Sequence, residues 1–142
     1  MFHIYLSGHI KNKKQVENFC DKVLHHFFKN RIKRDIDIDI RITKSLSDGT
    51  AGGCYGDHES IVIEIAKGVQ VPNQRYMLYD YKEVIVTLAH ELVHAKQFIK
   101  GELHPSLNKW KRLDYSNVAY SRTPWEKEAY LLEDKLLETH WK

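Results

Sequence analysis

Isoleucine alternates with polar residues from Asp35 to Thr43, setting Ile36, Ile38, Ile40 and Ile42 on one face and Asp35, Asp37, Asp39 and Arg41 on the other. A period of two with one apolar face predicts a half-buried strand whose aspartates form the wet side. Phe2 to Ser7 and Ser60 to Ile65 have the same character, the latter with Ile61, Ile63 and Ile65 on one face. Between the first two strands Val16, Phe19, Cys20, Val23, Leu24, Phe27 and Phe28 recur at helical spacing and predict an amphipathic helix. A second helix is expected from about Tyr81 to about Lys100, with Asp80 and Glu83 as a capping box and Gly101 as its stop. Val84, Ile85, Leu88, Ala89, Leu92, Val93, Ala95, Phe98 and Ile99 make it apolar nearly all round, the mark of a helix in the centre of a domain. A third helix starts at Pro124, behind Thr123 as N-cap. The Gly-rich stretch from Ser45 to Asp57 reads as a loop, and Trp110 to Tyr120 as a hairpin or irregular strands. Strand, helix, strand, strand, helix, helix is an α+β order, with a small mixed sheet packed on helices.

His90, Glu91 and His94 interrupt the apolar surface of the central helix, in His90-Glu91-Leu92-Val93-His94. Two histidines four apart lie on one helix face and bring two imidazoles to one metal, with the glutamate facing the same ion. A buried unpaired carboxylate is expensive, so Glu91 in this setting calls for a role. Zinc accepts nitrogen ligands, keeps an open position when three protein groups bind it, and lowers the pKa of a water there to roughly 7. Glu91 is placed to take the proton of that water. The HExxH pattern resembles the signature of the zincin metallopeptidases, which implies a zincin-like fold: a small mixed sheet against the HExxH helix and a C-terminal helix that supplies a further ligand.

The third ligand is sought downstream, at His104, Glu126 or Glu128. Lys100 stands six residues after His94, so the metzincin spacing fails; His104, ten residues on, has some likeness to SprT-like proteases that use a later histidine. The segment Pro124-Trp125-Glu126-Lys127-Glu128-Ala129-Tyr130 resembles gluzincins, which place a ligand glutamate early in a downstream helix with a small residue three positions later, as in Glu126 and Ala129. On a helical wheel Glu126 falls within the apolar arc of Trp125, Ala129, Tyr130, Leu136, Leu137 and Trp141, whereas Glu128 falls at its edge. His90, His94 and Glu126 are therefore the expected ligands, with Glu128 the alternative if Glu126 caps its own helix with Thr123. The last third of the chain also resembles small zinc metallopeptidases of phages and bacteria, in which an HELVH-type helix precedes a Pro-Trp-Glu-x-Glu-Ala helix. The thermolysin-type aspartate four residues beyond the ligand is missing: Tyr130 follows Glu126 and Leu132 follows Glu128. Orientation of the histidines falls to Glu133 or to backbone carbonyls. Zincin substrates lie antiparallel to an edge strand, for which Ser60 to Ile65 is the expected choice. Tyr115, Tyr120, Arg122 and His104 are close enough in sequence to serve an oxyanion, although a structural role is the plainer reading of each.

Composition narrows the setting. With 142 residues the chain is expected to form one domain over 1–142, and a net charge of +3 is too small to imply nucleic acid as a partner. Lys11, Lys13, Lys14, Lys29, Arg31, Lys33 and Arg34 read as solvated surface around the first helix. Cys20 and Cys54 form no disulfide framework and suit a reducing cytoplasm; no signal peptide or membrane-length apolar run is evident. The expected activity is zinc-dependent hydrolysis of a peptide or protein substrate. Two other readings are a zincin-fold binding or regulatory protein, closed by a fourth ligand such as His104 or Cys54, and a DNA-associated protease of the SprT-like kind.

Overall fold

The computed structural model describes residues 1–141. In chain order the elements are β1 (Phe2–Ser7), α1 (Lys13–Phe28), β2 (Ile36–Thr43), β3 (Gly52–Gly56), β4 (Ser60–Ala66), β5 (Gly68–Val69), β6 (Met77–Leu78), α2 (Tyr81–Ile99), β7 (Lys109–Trp110), β8 (Leu113–Asp114), a 3-10 turn (Tyr120–Arg122) and α3 (Pro124–His140). β1, β2, β4 and β3 form one sheet in that spatial order, the first three parallel and β3 antiparallel to β4. The α+β order read from the pattern is the order observed.

The apolar teeth of the strands supply one side of the core. Ile36, Ile38 and Ile40 of β2 and Ile61, Ile63 and Ile65 of β4 are buried with Val16, Phe19, Val23 and Leu24 of α1. The opposite face of the sheet is wet, and there Arg41 pairs with Asp39 at 2.8 Å. α2 lies across this core, packed on β3, β4, α1 and α3, and its apolar circumference is consumed by those neighbours. It ends in a Schellman motif: Gly101 at φ +73° donates to the Phe98 carbonyl and Glu102 to that of Gln97. Among the described residues no helix is long and apolar enough to cross a membrane.

Three expectations are corrected. The Gly-rich segment is not all loop, because Gly52–Gly56 is strand β3, held by pairing with β4 and backed by α2. Ser60–Ala66 is not the edge: it lies between β2 and β3, and β3 is the edge beside α2. Neither capping box forms, since Asp80 and Thr123 stand at the N-cap positions without a side-chain cap bond. The Thr123 hydroxyl instead donates backwards to the Tyr120 carbonyl at 2.7 Å. The segment after α2 holds the two-residue ladder of β7 and β8 and then the 3-10 turn.

Candidate metal centre

Helix periodicity carries His90, Glu91 and His94 to the side of α2 that meets α3 and β3, and all three are buried there. α3 begins with Pro124, so its first turn is rigidly started, and Ala129 lets it approach α2 with Glu126 directed inward at 2% exposure. Nε2 of His90 and Nε2 of His94 lie 3.0 Å and 2.9 Å from the same oxygen, Oε1 of Glu126, and 3.2 Å from each other. Among the described residues these three side chains form the group whose ligand atoms can surround one metal ion.

Proton accounting tests the fit. Nδ1 of His90 lies 2.7 Å from a Glu133 oxygen, and Nδ1 of His94 lies 2.7 Å from the Gln97 oxygen. Each ring thus donates through Nδ1, and in the neutral form each Nε2 presents a bare lone pair. Two lone pairs and a carboxylate oxygen then converge on one point, which is favourable only with a positive charge there, either a proton shared from an imidazole in the metal-free site or a metal ion. Ligands about 2.0–2.1 Å from a tetrahedral ion are about 3.3 Å apart, close to the spacings found. The donor set and its spacing fit zinc.

The charges of the site respond accordingly. Burial opposes a charged His90, but the hydrogen bond and charge of Glu126, with Glu91 and Glu133 behind, outweigh it and push the ring up to about 9. Burial likewise opposes an ionised Glu126, yet the two imidazoles hold it far below the usual carboxylate range. Glu91 has no such close partner: burial pushes it up, His94 and His90 pull it down, Glu126 and Glu133 push it up again, and it stands at about 7. A cleft of about 460 Å³ opens on this group, lined by Gly52, Gly53, Glu91, Tyr120, Glu126 and Tyr130 among others.

The remaining sequence candidates are sorted by position. Glu128 faces Lys96 at 2.6 Å and Gln97 at 3.0 Å, one step removed from the imidazoles. His104 bonds Ser106 on an exposed loop and Cys54 is buried in β3; neither belongs to the converging group. Burial first, and the charge of Glu91 second, push the Cys54 thiol well up, which keeps it protonated. Tyr115 packs edge-on against Trp125 and Arg122 lies in the exposed 3-10 turn, whereas the Tyr120 hydroxyl donates to Oε1 of Glu126 at 2.9 Å and lines the cleft. Glu133 was legible as an orienting group; Gln97 was not singled out, although its place three residues after His94 puts it on the same helix face. The contribution of β3 was also missed, hidden by its glycines.

The fold has a counterpart among solved structures. A crystal structure of an aminopeptidase N family protein from Idiomarina loihiensis matches with a TM-score of 0.53 and 15% identity, over 98% of this chain and 23% of that one. The fold is zincin-like. The chain spans less than a quarter of the length of that protein, and at this identity the likeness is one of architecture. No protein-family model matches the chain, and no curated protein matches it in sequence.

Proposed function

We propose that the protein is a zinc-dependent peptidase in which His90, His94 and Glu126 hold the ion and Glu91 is the general base. The observation that carries this reading is the meeting of two imidazole nitrogens and a carboxylate oxygen at one buried point, from two helices, at the bottom of an open cleft. When bound, zinc supplies a Lewis acid that polarises a carbonyl and acidifies a water. Glu91, buried beside the two histidines and lining the cleft, is the carboxylate placed to accept a proton from the attacking water and to return it to the departing amine nitrogen. The water's hydroxyl ends on the carbonyl carbon and the C–N bond breaks, so both of its hydrogens are accounted for. The Tyr120 phenol, whose pKa is raised by burial and then by Glu126, stays protonated and is the donor available to a developing oxyanion.

The sheet edge supplies the place for a substrate. Ala66 donates to the Ala51 carbonyl and Asp57 to that of Ser60, so alternate residues of β3 bond to β4 while the backbone groups of Gly52, Cys54 and Gly56 point outward. An extended peptide can add to this edge across the cleft. The architectural likeness to an aminopeptidase N family protein supports a hydrolase of this kind. A closed, non-catalytic site needs a fourth ligand, and neither His104 nor Cys54 stands with the other three. In the zinc-loaded protein, Glu91→Gln is expected to lower kcat on a cleaved peptide by about 10²–10⁴-fold while zinc is retained. An unchanged kcat removes Glu91 as base, and a zinc-loaded wild type inert towards a broad peptide library contradicts the peptidase reading.

A further inference from the structure

Gln97 is wholly buried on α2 and touches neither the cleft nor the converging ligand atoms, yet three partners fix every polar atom of its amide. Its nitrogen stands 3.0 Å from the Trp125 carbonyl and 3.0 Å from Oε1 of Glu128. Both are acceptors, so the nitrogen must face them, and a flipped amide would set oxygen against oxygen twice. The amide oxygen is thereby aimed at Nδ1 of His94, 2.7 Å away. Glu128 is in turn held by Nζ of Lys96 at 2.6 Å, and Lys96, itself buried, reaches Glu102 at 3.0 Å.

From this geometry we infer that Gln97 is a positioning residue for His94, with the Glu128–Lys96 pair locking its amide, so that one side chain sets the tautomer of the second imidazole and the seat of α3 together. The two histidines are thereby tuned unequally. Glu133 gives His90 a carboxylate partner, while Gln97 gives His94 a neutral one whose direction is set by two acceptor oxygens a layer further out, the Trp125 carbonyl and Oε1 of Glu128. The same amide bridges α2 to the first turn of α3, where Glu126 starts from, so loosening it shifts both a ligand's ring and its partner helix. This inference rests on the metal reading above and is tested by binding rather than by turnover.

Zinc affinity is measured by competition with a chelator on the full-length protein, with the melting temperature of the metal-free form as a folding control. Gln97→Leu keeps the volume and removes the acceptor, and it is expected to weaken zinc about 10–100-fold. Glu128→Gln still offers an oxygen to the Gln97 nitrogen and is expected to stay within about threefold of wild type, the scale of a partner one layer further out. The wild-type protein gives an independent readout by ¹⁵N NMR of its histidine rings: in the zinc-loaded state His94 carries its proton on Nδ1. Wild-type affinity in a folded Gln97→Leu variant, or a deprotonated Nδ1 on His94, overturns the inference and leaves the metal site standing. A wild type that binds no zinc removes the metal reading, and this inference with it.

Discussion

At the scale of single residues, Glu91 and Glu126 show how position decides what a carboxylate does. Both are buried, but Glu126 has two imidazoles within 3.0 Å and is held ionised, whereas Glu91 lacks such contacts and rises to about 7. A group bound more tightly to its proton in the folded state than in the unfolded one stabilises the fold at low pH. For Glu91 that contribution is full below about 4.5 and drains away as the pH climbs through about 7. In the metal-free protein Glu91→Gln is therefore expected to melt above wild type at about pH 8, by an amount corresponding to roughly 3 kcal/mol, with the gap closing towards about pH 4.5. A calorimetric pH series checks this, and a gap independent of pH would mean that burial does not perturb Glu91. That Glu126 rather than Glu128 turns inward to the two histidines was legible in the sequence, because a helical wheel reports which side chain enters the apolar arc. Gln97 was illegible because an amide carries no spacing signature; only the three partners around it reveal its direction.

At the scale of elements, β3 is where sequence and structure part. Strands announce themselves through β-branched residues and alternation, and Gly52-Gly53-Cys54-Tyr55-Gly56 has neither. Its strand form is imposed from outside, by β4 along one side and α2 above, which are contacts distant in sequence. The glycines are what allow that approach. A Cβ on Gly52 would stand 2.8 Å from Cγ2 of Thr87, 3.1 Å from the Glu64 carbonyl oxygen and 3.4 Å from Cγ of Glu91, whereas one on Gly53 would meet the movable Tyr55 ring at 3.3 Å. Gly52→Ala is thus expected to cost about 1–3 kcal/mol in urea unfolding and to lower turnover by shifting the strand against Glu91, while Gly53→Ala stays near wild type. Equal tolerance of both substitutions would show that β3 is not pressed on α2. The capping box of α3 failed for a related reason: the Glu126 carboxylate is engaged across to α2, and the Thr123 hydroxyl serves the 3-10 turn before it.

At the scale of the whole molecule, the α+β order was readable because β2, β4, α1 and α2 each repeat their period cleanly and pool their apolar faces in one core. The lateral order of the strands was not, since local periodicity says which face is buried but not which neighbour pairs. Placing β4 inside and β3 outside gives the sheet an edge that opens on the cleft, with α2 and α3 bringing the two imidazoles and the Glu126 carboxylate together from two directions. On the proposed reading these two helices share one divalent ion. Elemental analysis of purified protein, loaded with zinc and passed through a desalting column, tests it most directly. About one zinc per chain is expected in wild type and in Glu128→Gln, and far less in His94→Ala and Glu126→Ala when those variants remain folded. A wild type without zinc, or a folded Glu126→Ala protein that keeps a full complement, would contradict it.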